Sequence, residues 1–458
     1  MNETTTIKGL WWLPANPEKQ LSGEITYGSV SGASLSLLDY FFQDATGDLF
    51  TVWGMTVSGK PITLFDCHAE NLTMHLPGAR VAEVSSYFGV VGGHFESREQ
   101  MKFAKVTAKL SHLHEWAWTT GIAVEHKDKA WLVSKKMVPD ITLGSCGELK
   151  LTLEFTGHLS PGYGDCKISE ECFFTLRSEK LTVYDSFEKT IHKFQHFVAL
   201  AVCQPVYALS IAARLDKPKE VFQGQEIFEE FQIIRSVSVE KTKKERLIPH
   251  DMQFCLSDLQ PDPSVYVQRF FEKHELLNPV CDLYFSTIYH RDMFVNQRFL
   301  ALAHAIEAYH RAFVGGKYQA NEEYRNGLQR ILWEAVPANI SADFRASLKN
   351  KLKYLNEFSL RKRVQDICEN FSAILKAFLG EPAQFASDVA DQRNLLTHPD
   401  STAENHSAEK NWKSIWIKGE QLGLLLEVCF FHELGFGEQR ISTMLTRNRR
   451  TRAIQLNR

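Results

Sequence analysis

Two prolines, Pro261 and Pro263, separate two stretches whose apolar residues recur with different periods. Before them, short β-branched and aromatic runs are broken by turn residues; after them, apolar residues step by three and four. The first pattern fits a sheet and the second fits helices, so one chain must hold both. At 458 residues it is long enough for two or three separate cores. The expected organisation is a β-rich region over residues 1–260, a helical linker over 261–290 and a helical bundle over 291–458.

In the first region, Leu49 to Leu64 reads as a hairpin that turns at Ser58-Gly59-Lys60-Pro61. Further strands are expected at Lys102 to Trp118, Leu149 to Thr156, Cys172 to Leu176, Val206 to Ile211 and Ile227 to Val239. Turns at Gly92-Gly93 and Ser160 to Gly164 punctuate them, which suits an antiparallel sandwich or barrel. One helix interrupts the strands at Asp185 to Val202, where Phe187, Ile191, Phe194 and Val198 share a stripe. Glu240 to Arg246 is a solvated charged turn. Trp11, Trp12, Trp116 and Trp118 are read as core packing rather than as a ligand platform.

Ser264, after the second proline, is the expected helix cap, and Asn278-Pro279 offers a second boundary. Beyond them Phe299, Leu302, Ile306, Tyr309 and Phe313 mark one buried helix stripe. Further helices are expected at Glu322 to Ala335, Ala342 to Phe358, Leu360 to Leu379 and Asn411 to Leu434. The last is apolar on more than one face, so it is either central in the bundle or part of a subunit interface.

Composition removes several classes of function. Hydrophobic residues at 44% and charged residues at 23% are ordinary for a soluble chain, and no apolar run approaches a membrane span. The start, MNETTTIKGLWW, lacks the basic and apolar segments of a signal peptide, so the cytoplasm is the expected compartment. Nine scattered cysteines without a CxxC pair argue for reduced thiols and against structural zinc. His112, His114 and Glu115 sit at alternating strand positions, but a half-exposed sheet face explains them better than a metal site, and no cofactor is expected. Residues 1–280 hold 28 Lys+Arg against 35 Asp+Glu, leaving 24 against 20 in the remainder. The helical part is therefore the better partner for nucleic acid.

The most informative stretch is Gln384 to Asp400, QFASDVADQRNLLTHPD, an amphipathic run that stops at a proline. Asn394 and His398 are four apart and share a helix face, whereas Arg393 is five from His398. Pro399 biases His398 away from helical geometry, which lets the imidazole turn toward the guanidinium. The spacing by itself is not diagnostic, because Arg269 and His274 repeat it without the amide or the proline. The tail from Thr446 carries Arg447, Arg449, Arg450, Arg452 and Arg458, which could either follow RNA phosphates or form a disordered terminus.

RNLLTHPD, together with RFLALAHAIEAYHRAFV (Arg298 to Val314) and KYLNEFSLRKRVQDICE (Lys353 to Glu369), resembles the HEPN superfamily, and within it the ApeA-like proteins of bacterial anti-phage defence. The N-terminal stretch beginning GLWWLP is similar to the β-rich region that precedes the HEPN domain in such proteins. The resemblance implies a metal-independent endoribonuclease in which the RNA 2′-hydroxyl attacks the adjacent phosphate. Arg393 would then hold the phosphate by a two-pronged contact, and His398 would move the proton. Asn394 would orient a phosphate oxygen or the imidazole, or simply cap the helix. The resemblance also implies that Glu307 and His310 support the site from the neighbouring helix, that two copies pair to complete one cleft, and that the β-rich region restrains the nuclease until a phage-made trigger arrives. Transfer RNA is an attractive substrate, since accessible unpaired bases are what proteins read most readily in RNA. The competing readings are a catalytically silent HEPN dimerisation or binding module, and a sugar- or peptide-binding β domain with a helical oligomerisation appendix.

Overall fold

A computed structural model describes residues 4–28, 32–41, 49–128, 130–222, 225–236, 246–397 and 408–456. Internal contacts divide the chain into two units, Met1–Phe271 and Glu272–Arg458. The first is an antiparallel β structure and the second is helical.

The sheet of the first unit runs, in spatial order, through Ile141–Cys146, Leu149–Pro161, Cys166–Val183, Lys102–Leu110, Ala208–Arg214, Glu230–Arg235, Phe88–Val91, Pro61–Met74, Phe50–Thr56, Thr5–Leu13, Asn16–Gly28, Gly32–Leu38 and Arg80–Ser86. Pro61–Met74 also pairs with Arg80–Ser86, so the last six strands close into a barrel and the others extend from it. Closure pairs the edge that Arg80–Ser86 would otherwise leave open, while Ile141–Cys146 ends the sheet on the other side. One long strand serves both parts, changing partner at Asp66, whose φ is +51°: Ile62 to Phe65 pairs with Phe88 to Val91, and His68 to Met74 pairs with Arg80 to Ser85.

Alternating residues fill the barrel, among them Trp11, Ile25, Leu35, Val52, Ile62, Leu64 and Val84. Trp11 lies against the backbone of Gly54, where a Cβ would come within 2.2 Å of its ring, so only glycine fits there. Trp12 and Trp116 are buried as well, whereas Trp118 is half exposed. The hairpin expected at Ser58 joins Phe50–Thr56 to Pro61–Met74.

The strand expected from Lys102 to Trp118 ends early. It stops at Leu110, and a short helix α1 (Leu113–Ala117) follows, with His112 at φ +60°. The alternation of His112 and His114 was therefore misleading: the chain must turn to bury Leu113, Trp116 and Ala117 together, which helical spacing does and strand spacing does not. Helix α2 (Tyr184–Val202) matches the periodic stretch read there. Of the charged turn, Glu240 to Glu245 lies outside the described residues.

Helix α3 (Pro263–Tyr289) starts at the second proline and not after Ser264. Asp262 is its cap, since the carboxylate accepts from the Ser264 amide at 3.0 Å and from the Ser264 hydroxyl at 2.6 Å. The helix runs through Pro279, so that proline is no boundary; Leu277, Val280 and Cys281 beside it are buried. In the second unit α4 (Val295–Phe313) packs on α11 (Ala408–Leu434). Between them in sequence come α5 (Asn321–Tyr324), a π turn at Arg325–Gln329, α6 (Arg330–Glu334) and α7 (Ala342–Tyr354).

The long helix expected from Leu360 to Leu379 is two, α8 (Leu360–Asn370) and α9 (Ser372–Leu379), because Phe371 leaves helical geometry. Then come α10 (Pro382–Thr397), α11, α12 (Glu438–Arg447) and α13 (Arg449–Leu456). α11 is central: Leu422, Leu424 to Leu426 and Val428 to Phe431 are buried within the unit. The described part of the tail is folded as helices rather than free, with the Asn448 carboxamide accepting from the Thr451 amide at 3.0 Å to start α13.

Candidate functional site

Helix α10 is placed by Phe385, Ala386, Val389 and Ala390, one apolar stripe that packs on α8 and α4. Its opposite side faces solvent. Arg393, half-buried, and Asn394, exposed, occupy its last turn, and the Thr397 hydroxyl closes that turn on the Arg393 carbonyl at 3.0 Å. Thr397 is the last described residue of the helix; His398 lies outside the described residues.

Other cations engage the acidic groups of α10. Lys418 reaches Asp388 at 2.8 Å, and Arg361 reaches Asp391 at 3.1 Å, where Ser387 also donates. Burial alone would raise the Asp388 carboxyl, but Lys418 and Gln384 hold it below its usual range. With both carboxylates paired and no ion pair to Arg393 among the described residues, its guanidinium can meet an external anion such as a phosphate.

Of the two residues expected to support the site, His310 falls in a buried polar network between α4 and α8, and Glu307 is half-buried on the same helix. His310 is fully buried on α4, and Arg363 of α8 is 1% exposed. The Arg363 Nη1 donates to His310 Nδ1 at 3.1 Å and to the Gly315 carbonyl at 3.0 Å, its Nε donates to the Phe358 carbonyl at 3.0 Å, and Nη2 reaches the Gly316 carbonyl. His310 Nδ1 also lies 3.2 Å from the Gly315 carbonyl, and Nε2 lies 3.3 Å from Asp366 Oδ2; a ring that accepts from Arg363 at Nδ1 carries its proton on Nε2, toward that carboxylate. Lys362 neutralises Asp366 at 2.5 Å. Glu307 lies within electrostatic reach of Arg363, and Arg311 pairs with Glu357 at 3.0 Å rather than with Glu307.

Sequence reading passed over Arg363 and Asp366. The signal was present, since an arginine stands inside the apolar stripe Leu360, Val364, Ile367 of α8. A charge at a stripe position must be partnered when the stripe is buried. α4, α8 and α10 pack on one another, so the helices that carry His310 and Arg363 both touch the Arg393 helix.

Burial, outweighing the carboxylate of Asp366, and the nearby Arg363 charge push the His310 pKa below its ordinary value of 6.5. The unfolded chain therefore takes up a proton at this residue before the folded chain does, and stability falls as the pH drops through and below about 6.5. Thermal melts from pH 7.5 to 5.5 should show a steeper fall in Tm for the wild type than for His310→Gln. Equal slopes would mean that this ring is not held neutral.

The tail arginines do not form one free basic surface. Arg450 donates to Glu420 at 2.8 Å and to the buried Glu427 at 2.6 Å, and Tyr284 donates to the same Glu427 oxygen at 2.8 Å. Glu420 also pairs with Arg298. Arg452 is exposed and donates to the Arg447 carbonyl at 3.3 Å. Arg449 is exposed and Arg447 half-buried, and both make contacts. Arg458 lies outside the described residues.

Among the described residues no three His, Cys, Asp or Glu side chains are grouped to hold a metal ion. His114 Nε2 instead meets the Thr119 carbonyl at 3.2 Å and lies 3.6 Å from Glu170, which Lys135 neutralises. No described helix is long and apolar enough to cross a membrane.

Comparison with known proteins follows the two units. A family model described as ApeA N-terminal domain 1 matches residues 6–268, and one described as Apea-like HEPN matches residues 300–440. None of the curated proteins compared matches the chain.

Proposed function

From the premise that this chain belongs to the ApeA-like HEPN family of anti-phage proteins, we propose that it is an endoribonuclease whose active site is built from Arg393, Asn394 and His398. The HEPN match supports a nuclease-type defence function. The finer reading rests chiefly on one observation: Arg393 stands half-exposed in the last turn of α10 while the acidic residues of that helix are engaged elsewhere. A silent binding module has no need of an uncompensated guanidinium beside an amide at that place.

The chemistry suits those residue types. The RNA 2′-hydroxyl loses its proton and attacks the adjacent phosphorus; the 5′-oxygen leaves and takes up a proton. The products are a 2′,3′-cyclic phosphate and a 5′-hydroxyl. Arg393 neutralises the charge that grows on the non-bridging oxygens, and a histidine with an ordinary pKa near 6.5 transfers protons at neutral pH. No metal is required by this route. Base and acid act on opposite sides of the phosphorus, so we take the functional unit to be a homodimer in which two motifs share a cleft. The β-rich unit, about residues 1–260, is taken as the regulator that responds to a phage-made trigger, transfer RNA as the favoured substrate and the cytoplasm as the compartment.

The test is cleavage of total cellular RNA by the purified protein in EDTA, with the fragment ends mapped. Cyclic-phosphate ends from the wild type and a loss of about 10²- to 10⁴-fold in His398→Ala are expected. Cleavage that persists in His398→Ala, or that stops in EDTA, would remove the proposal. Silence of the full chain, of phage-infected lysate and of a preparation lacking the β-rich unit would favour the binding module.

A further inference from the structure

The segment that joins α4 to α8 is a helical hairpin with almost no interior. α5, the π turn and α6 form one arm and α7 the other, and among their residues only Tyr324 is buried. Its hydroxyl bonds the Leu352 carbonyl at 2.5 Å and ties the arms together. The hairpin stem is well fixed. Lys317 bridges to Glu357, and the Asn356 side chain accepts from the Gln319 amide at 2.9 Å and donates to its carbonyl at 2.8 Å.

On this fixed stem α7 carries four cations and one acid: Arg345, Lys349, Lys351 and Lys353 against Asp343. Elsewhere in the helical unit many such residues are paired, among them Arg298, Arg311, Arg330, Arg361, Lys362, Lys418 and Arg450. None of the four on α7 has an ion-pair partner among the described residues; what three of them have is rings. The Arg345 guanidinium lies 5.0 Å and the Lys349 ammonium 5.9 Å from the Trp333 ring centre, and the Lys353 ammonium 5.6 Å from that of Tyr354. Arg345, Lys349 and Lys353 are successive i,i+4 positions, so they form a ladder with a rung about every 6 Å along the helix. Phe344 and Tyr354, at 51% and 59% exposed, stand beside it.

A row of cations without ion pairs, packed on the half-buried Trp333 ring and accompanied by the exposed rings of Phe344 and Tyr354, offers what an unpaired nucleic-acid strand requires: charges for the phosphates, π faces for the bases. We infer that the α7 face of this hairpin is a binding surface for single-stranded RNA, which it holds alongside the Arg393 helix. The stem supplies the connection: α8 begins six residues beyond the end of α7, and its Arg361 bonds Asp391 in α10, two residues before Arg393. The surface is charge-complementary to RNA, and its cations are spaced for a strand lying along α7. It rests on the nuclease reading only in the choice of RNA as the occupant.

A fluorescein-labelled, fully 2′-O-methylated 20-nucleotide strand of mixed sequence tests this by anisotropy, because it has no free 2′-hydroxyl to attack and reports binding alone. The full chain and R345A/K349A/K353A are titrated between 50 and 200 mM KCl, with melts to show that both are folded. The triple variant should bind about ten-fold or more weakly at 50 mM salt, with a log–log salt slope shallower by about 2. Tyr354→Ala should weaken binding at least about five-fold with the slope unchanged. K349R/K353R should retain the wild-type slope.

Wild-type affinity and slope in the folded alanine triple variant would overturn the inference. So would unaltered RNA binding accompanied by lost binding to anionic lipid vesicles or to a co-purified protein, because another occupant would then hold the face. If the wild type cuts RNA but the alanine variant binds the strand normally, only this surface is wrong. If the strand binds as expected but Arg393→Ala and His398→Ala cut RNA like the wild type, the active-site assignment fails and the surface stands.

Discussion

Replacing Arg393 with lysine is expected to lower RNA cleavage by about 10²- to 10³-fold while leaving the fold intact. Lysine keeps the positive charge but loses the planar fork, and only the fork makes two parallel bonds to one phosphate. The position tolerates the change, since Arg393 is half-exposed and the stripe that places α10 consists of Phe385, Ala386, Val389 and Ala390. Single-turnover cleavage of a short RNA, compared with a thermal melt of the same sample, separates the two effects. A drop in the cleavage step with Tm unchanged supports a transition-state role. A lysine variant that cuts as fast as the wild type would reduce Arg393 to a surface charge, and the silent-module reading would gain.

The second large effect lies in the tail. Arg450→Ala is expected to destabilise the helical unit by about 3 to 5 kcal/mol. The substitution takes an arginine away from Glu427, which is 1% exposed, and strips one of two arginines from Glu420. Burial alone would raise the Glu420 carboxyl, yet Arg450 and Arg298 hold it down to about 2. Since the folded value lies below the ordinary 4.5, the stabilisation is complete above pH 4.5 and is lost as the pH falls toward 2. Urea unfolding at pH 7 and at pH 4 reads both the loss and its pH dependence. If Arg450→Ala instead unfolds like the wild type and merely binds RNA less well, the arginine belongs to an RNA surface and not to the fold.

These two arginines mark how far local sequence reaches. Arg393 and Arg450 look alike as residues near apparent helix ends in a mildly basic half of the chain. Clustering along the chain places Arg450 with Arg447, Arg449 and Arg452. Its partners, Glu420 and Glu427, lie 30 and 23 positions earlier on α11, and no local pattern links them to the tail. His310 shows the converse. Its stripe position was legible, but its protonation state depends on Arg363 and Asp366, more than 50 positions away.

Periodicity and punctuation alone determined the division into a β-rich and a helical part, the hairpin at Ser58, the helix over Tyr184–Val202 and the presence of α10, because each follows from which residues within one or two turns can share a face. Tertiary structure decided the closure of six strands into a barrel, the turn that buries Trp116 beside Leu113, the passage of α3 through Pro279, and the division of the basic residues. Those engaged are Arg298, Arg363 and Arg450; those facing outward without an ion-pair partner among the described residues are Arg393 and the α7 ladder. The reason is physical: a charge is engaged or available according to the carboxylates and carbonyls that distant segments bring within about 4 Å, and the sequence around it does not carry that information.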